Sequence, residues 1–407
     1  MPLRLDQDSI KETRRFVAIT RFLVKAAIWA DLRTERYVNV KMRDHSTGFS
    51  RWNDKIQKMK AVLGVAFLLA VSLPATAQDA GKVYYALDTN AIGPARSIQA
   101  RVVRRMVDSL ICRVTGTHSV TAAWRSLLSP EDKVGIKVSA AGRSVSGTNP
   151  EVVDAIVDGL TEAGVPAKSI IVWDKSIDDL LAAGFKKDSA RYLLQGIDPK
   201  NGYDQQAGVS APVLGKLIWG DSRFGDRRGN RFADLLSSGD QLSSQSFFAK
   251  ILTTEVTKVI NVPSLSDSYL TGINGSIVNM TLPNLDNWRR FAKAAAEGGS
   301  YIAEVYADPI IREKVVLTIL DALILQYAGG PFPDPNFSLE NYALFASKDP
   351  VAIDAIALRL IEEARKASKM PSIRPMTAYL GAAAELGLGE TAESRIQTIR
   401  VGVEGFR

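Results

Sequence analysis

An α/β fold with a mostly parallel sheet, flanking helices and one irregular insertion is the class this 407-residue sequence predicts. Downstream of residue 78, compact apolar runs of strand type alternate with segments whose apolar residues recur at the helical period. Within that alternation, residues 133–173 read as strand, helix and strand, in the roughly 40 residues that suit a parallel crossover unit. No internal repeat or low-complexity tract in the sequence argues for a solenoid or a fibrous protein instead.

The chain before residue 78 stands apart from that fold. Lys58 and Lys60 precede an apolar run from Ala61 to Leu73, and Pro74 then leads into Ala75, Thr76 and Ala77. These are the parts of a secretory signal peptide over residues 59–77, cleaved before Gln78. The apolar run is shorter than the roughly 20 residues of a membrane-spanning helix, so no stable span is expected after cleavage. Met59 then acts as the initiator, and residues 1–58 are expected to be a non-native or disordered leader. A competing export motif around Arg14 and Arg15 is followed by an apolar stretch that Arg21 and Lys25 interrupt. Residues 78–407 are expected to form a single domain, delivered to the periplasm or secreted.

The elements of that domain follow in order. Residues 82–86 are extended, and from Pro94 a helical pattern places Ile98, Val102, Met106 and Leu110 on one face. Residues 133–138 form a strand, and the small residues of 140–147 suit a turn or a ligand loop. Thr148 and Asn149 offer a cap, Pro150 fits the first helical position, and the helix runs on to Gly164. Residues 169–173 are a buried strand, which puts Asp174 at its carboxyl end. Residues 186–250, rich in Gly, Ser, Asp and Arg, are the expected insertion. Strands at 256–262, 315–320 and 342–346, with helices near 286–297 and 350–366, complete the alternation.

The formal charge of +7 does not describe this domain. Of 51 Lys/Arg and 44 Asp/Glu, residues 1–58 hold 13 and 7 and the signal holds one more Lys, which leaves 37 of each sign from residue 78 onward. A neutral body lacks the basic face that neutralises phosphates, so nucleic acid is not an expected partner. The run Trp288-Arg289-Arg290-Phe291 reads as an amphipathic helix rather than a base-stacking site. Cys112 and His118 are the single cysteine and histidine of the domain. One cysteine holds no iron–sulfur cluster of its own, so such chemistry would need a redox partner. His118, in a polar loop, is read as a surface residue, with proton transfer as the sharper alternative.

Five segments resemble, in order and spacing, the family catalogued as domain of unknown function 362. They are residues 134–138; residues 148–153 with 171–174; residues 259–264 with 270–272 and Asn279; residues 319–321; and residues 347–354. The resemblance covers nearly all of residues 130–365 and implies an α/β fold of uncharacterised activity, some of whose members carry ferredoxin-type iron–sulfur segments. After its Val-Pro pair that family tends to show Lys, Lys and His, and later Lys before Asn. This sequence has Ser264, Ser266, Ser268 and Val278 there. Losing cationic and imidazole groups from one loop weakens any anion-binding or proton-transfer role of that loop.

Open α/β sheets hold ligands at the carboxyl ends of their strands, and the candidate residues fall there. Lys137 precedes the small-residue loop, where it would meet an anionic ligand or stand ion-paired. Asp174 is read either as an acceptor for a ligand hydroxyl or metal, or as the cap of the next helix. Asn261, Thr271, Asn274 and Asn279 flank Gly272 and Gly275, in a segment that serves a ligand loop or an ordinary turn. Asp321 and Asp354 form a candidate oxygen-ligand site for a divalent cation such as Mg²⁺ or Ca²⁺, while Asp349 before Pro350 reads as a helix cap. Two functions follow. One is an exported protein with a small-molecule or metal site, open to catalysis; the other is a non-catalytic periplasmic binding or accessory protein that has lost the family's Lys and His groups.

Overall fold

A computed structural model describes residues 81–216 and 242–403. The expected leader and signal peptide lie outside the described residues, as do residues 217–241 of the insertion.

The strands are β1 (Lys82–Leu87), β2 (Val134–Val138), β3 (Ile170–Asp174), β4 (Leu193–Gly196), β5 (Tyr203–Lys216), β6 (Leu242–Ala249), β7 (Lys258–Val262), β8 (Ser264–Ser268), β9 (Gly272–Ile273), β10 (Val315–Gln326), β11 (Ser338–Ser347) and β12 (Gln397–Val401). The main helices are α1 (Ala100–Thr115), α2 (Val120–Leu127), α3 (Pro150–Glu162), α4 (Ile177–Ala182), α5 (Ser276–Thr281), α6 (Arg289–Ala296), α7 (Tyr301–Ala307), α8 (Pro350–Ala367) and α9 (Ala378–Glu385). One sheet runs in the order β12-β1-β11-β10-β7-β2-β3-β4, and β8 and β9 attach beside β10. The block from β10 through β7, β2 and β3 to β4 is parallel, β1 is parallel to β12, and β11 opposes both its neighbours. The mostly parallel α/β architecture read from the sequence is therefore the one observed.

Strands buried on both faces explain the short, unbroken apolar runs. In β2, Val134, Ile136 and Val138 join α1, α2 and α3 in one core, and in β3 Ile170 and Val172 do the same. The alternate residues, among them Trp173 in β3 and Val259 in β7, pack with α5 to α9 in a second core on the opposite face. Gly135 sits where a Cβ would lie 2.5 Å from the Trp173 ring, so the missing side chain makes room for that indole against β2. The same alternation places Lys137 on the second face, beneath α5.

Three expectations change. Pro94 opens only a 3-10 turn, Pro94–Arg96, and Ile98 pairs with Ile92 in an isolated bridge, so the helix begins six residues later, at Ala100. The described part of the irregular insertion expected over 186–250 is built of strands, since β4 extends the parallel sheet and β5 and β6 form an antiparallel ribbon. Asn149 makes no capping hydrogen bond with its side chain, and the Thr148 hydroxyl instead donates to the Val262 carbonyl and accepts from the Ser139 amide. Tertiary partners outcompete the local cap in this turn.

Candidate functional site

Strand register builds the floor of the site. Lys137 lies opposite Trp173 of β3 on one side and Asn261 of β7 on the other, and Asn261 lies opposite Thr318 of β10. Four side chains thus line one row on the same face, with α5 laid across them. Lys137 is fully buried, and its ammonium donates to Asp174 Oδ1 at 2.7 Å, to the Val138 carbonyl at 2.7 Å and to Asn279 Oδ1 at 3.1 Å. Those three acceptors use all the donors a lysine has. Burial pulls the Lys137 ammonium below its ordinary range, and the Asp174 charge opposes that pull.

Asp174 completes the pair. Oδ1 also accepts the Lys175 amide at 2.7 Å, and Oδ2 accepts the Ala140 amide at 2.7 Å. The cap of α4 is the Ser176 hydroxyl, which accepts the Asp179 amide, so the capping reading of Asp174 does not hold. Asn279 donates to Asn261 Oδ1 at 2.8 Å, and Asn261 donates to the Ser276 carbonyl and hydroxyl, each at 3.0 Å. The Ser276 and Thr318 hydroxyls are 2.9 Å apart. One continuous hydrogen-bonded chain therefore runs from Asp174 to Thr318 beneath α5. Networks of this kind fix side-chain positions because each member would be costly to leave unpaired.

Asp354 holds α5 from below. Its carboxylate oxygens accept the Ser276 amide at 2.5 Å and the Ile277 amide at 3.0 Å, which satisfies two of the orphan donors at the helix start. A Cβ on Gly275 would lie 2.2 Å from Asp354 Oδ1, so glycine is what lets the carboxylate approach. Burial pushes the Asp354 carboxyl up to about 7, against the two amides that favour its charge. Asp321 plays a matching part on the other face. It accepts the amide and the side-chain nitrogen of Asn149, each at 2.8 Å, ahead of α3, and burial raises it to about 6.

The structure does not bring Asp321 and Asp354 together. Asp321 alternates with Leu320 and Ala322 of the second core and faces α3, whereas Asp354 belongs to α8 on the opposite face. Among the described residues no group of three or more His, Cys, Asp or Glu is placed to hold a metal ion. Asp349 is a cap, as its place before Pro350 suggests. Its Oδ1 accepts the Val351 and Ala352 amides, and its Oδ2 accepts those of Gly81 and Glu390. His118 is exposed between α1 and α2, and Cys112 is buried in α1.

Above the polar floor opens a cavity of about 220 Å³ at the carboxyl ends of β2 and β3. Asp174 and Asn279 line it, and so do Thr271 and Asn274 from the glycine-punctuated segment. Asn261 and Lys137 lie behind that layer, and Thr271 is held by its hydroxyl to the Ile273 carbonyl. The walls are apolar, with Leu270, Val278, Leu282, Trp288 and Phe332 among them. Phe332 and Tyr269 are 64% and 58% exposed, which places two aromatic rings at the rim. Lys175 also lines the cavity, but its ammonium donates to Tyr203 Oη and the Leu285 carbonyl, each at 2.9 Å. Sequence reasoning missed Ser139, Phe332 and the wall role of Trp288. Ser139 continues the β2 run by one residue and was therefore findable, whereas Phe332 arrives from a loop about 190 residues away and carried no signal.

The Trp288-Phe291 segment splits three ways. Trp288 faces the cavity and Phe291 enters the core. Arg290 is buried and donates to the Ser246 hydroxyl and to the carbonyls of Val209, Ala211 and Val213. Its charge is used inside the molecule, to tie the β5–β6 ribbon to α6.

Comparison with known proteins defines the class before anything narrower. The model of the family described as domain of unknown function 362 matches residues 134–359, and the chain belongs to that family. That interval holds every residue of the polar floor and of the cavity walls named above. A crystal structure of a protein from Thermotoga maritima aligns with 67% of this chain and 60% of its own length, at 11% identity and a TM-score of 0.35. No curated protein matches.

Proposed function

We propose that this is an exported binding protein that holds a small organic molecule in the cavity between β2, β3, α5 and α6. The observation that carries the reading is the combination of an apolar cavity with a pre-built polar floor, in which Asp174 is presented to the cavity while Lys137 neutralises it from behind. Ligand sites in α/β proteins have this character, mostly apolar with a few fixed polar groups at strand ends.

Binding is favoured over catalysis by the chemistry of the lining. The Asp174 carboxylate is already held by an ammonium and two backbone amides, so three of its acceptor positions are in use. Lys137 has spent all its donors, and the single histidine among the described residues is exposed between α1 and α2. Ser268 and Val278 stand on the cavity wall where the family tends to carry His and Lys. Export rests on the signal pattern of residues 59–77 alone; among the described residues no helix is long and apolar enough to cross a membrane.

Filling the cavity tests the site. V278W should remain folded by circular dichroism and lose the thermal shift that a small-molecule extract of the host gives the wild type; an undiminished shift would place the ligand elsewhere. Intact mass of protein from its own host should correspond to a chain starting at Gln78, and a Met1 start would overturn export through this signal.

A further inference from the structure

The cavity also carries information on which ligand heads it accepts. We infer that it selects an amphipathic molecule whose polar head donates a hydrogen bond, a hydroxyl or an ammonium, and discriminates against carboxylates and phosphates. This rests on the proposed binding reading and adds the chemical class of the ligand.

The argument is a count of open valences. An ionised carboxylate has about four acceptor positions. Asp174 Oδ1 receives the Lys137 ammonium and the Lys175 amide, and Oδ2 receives only the Ala140 amide, so one position on Oδ2 has no protein donor. Asp174 lines the cavity, and its side chain keeps 9% of its exposure. The positive charge that would welcome an anion is shut away: Lys137 is 0% exposed behind Asp174 with every donor engaged.

Lys175, unlike Lys137, does line the cavity. Its ammonium is turned to Tyr203 Oη and the Leu285 carbonyl, and it lies 5.4 Å and 5.9 Å from the centroids of the Tyr203 and Trp288 rings. Asp179 adds a second carboxylate to the lining, facing Arg143 at 3.4 Å. An anionic head would therefore lose its water to meet a carboxylate, which costs free energy that a donor head recovers as a charge-assisted hydrogen bond. The Ser139 and Ser268 hydroxyls, which accept from Asn274 and Thr271, keep their own hydrogens to give; as neutral donors they serve a hydroxyl head without offsetting the repulsion between an anionic head and the Asp174 carboxylate. The apolar walls and the aromatic rim set the remainder of the molecule as hydrocarbon or aromatic.

A matched series reads this directly: 2-phenylethanol, 2-phenylethylammonium and phenylacetate, titrated by calorimetry against the wild type, D174N, V278W and V278K. The alcohol and the ammonium should bind the wild type at least about tenfold more tightly than phenylacetate. D174N should bring the ammonium and phenylacetate within about threefold of each other, and V278K, which adds an ammonium to the wall, should reverse their order without relying on a change at Asp174. Phenylacetate binding the wild type as tightly as the alcohol and the ammonium, with V278W abolishing all three, would sink the selectivity while leaving the cavity as the site. Binding that survives V278W, or no binding by any probe, would remove the cavity reading and this inference together.

Discussion

Lys137 concentrates the physical chemistry of this molecule in one residue. A lysine with no exposure survives in a core only because three acceptors, one of them of opposite charge, meet it there. Removing one partner of such a pair leaves the other charge buried and alone, which typically costs about 3–5 kcal/mol. K137M should accordingly lower the free energy of unfolding by that amount in urea titrations, and K137M/D174N should lose less than K137M, because no lone charge remains. Equal losses would mean that packing, and not charge pairing, holds the residue. The sequence placed Lys137, Asp174, Asn261 and Asn279 near one another because strand ends and a period of two are local properties. It did not show that Lys137 points beneath α5 rather than into the cavity, since that depends on where α5 docks from 140 residues away.

At the scale of elements, buried carboxylates take the place of local caps. Asp354 accepts the first amides of α5, Asp321 accepts the Asn149 amide just ahead of α3, and Asp267 accepts the Gly330 amide in the loop that brings Phe332 to the cavity. Burial raises Asp354 to about 7 and both Asp267 and Asp321 to about 6, against an unfolded value of 3.8. The folded protein therefore binds more protons than the unfolded chain across that interval. Stability from these groups is complete on the acid side and is lost as the pH rises through 6 to 7. The melting temperature should fall between pH 5.5 and pH 8, and D354N should flatten part of that fall. At pH 5.5 the variant should still cost about 1–3 kcal/mol, because an amide nitrogen then faces the Ile277 amide without a bond. A profile that rises with pH would contradict the assignment. These trans-acting caps were invisible in the sequence, where Asp354 looked like a metal ligand.

The ribbon offers a second element-scale test. β5 and β6 contribute little to the main sheet, and Arg290 holds three carbonyls of β5 and the Ser246 hydroxyl of β6. R290M should leave the global melting transition nearly unchanged while speeding proteolysis within residues 203–249, as expected when a sub-global unit loosens on its own. Equal protease resistance would show that the pairing of the two strands suffices. Composition alone marked this region as irregular, because Gly208, Ser210, Gly215, Ser243 and Ser246, residue types that weaken a strand signal, here lie in paired strands.

The described residues form one large sheet with a core on each face, with the β5–β6 ribbon apart from it, and the large sheet was legible, since unbroken apolar runs alternating with amphipathic helices admit few other arrangements. What could not be read was the edge assembly. β12 and β9 are short, and β8, with the sequence Ser264-Leu265-Ser266-Asp267-Ser268, is polar by composition yet buried along its length. Their places depend on partners distant in sequence, which no local pattern encodes.

Distance in sequence has one more consequence, for how the chain is made. β1 is the first described strand, yet Tyr84 pairs with Ala346 of β11 on one side and Ile399 of β12 on the other. During synthesis or threading, β1 emerges with both its hydrogen-bonding edges open and stays so until the final strands arrive. Pairing of β1 therefore waits on β11 and β12, contacts of large sequence separation of the kind that slow folding. A chain cut short before β11 and β12 leaves both edges of β1 unpaired, and unpaired strand edges recruit other chains.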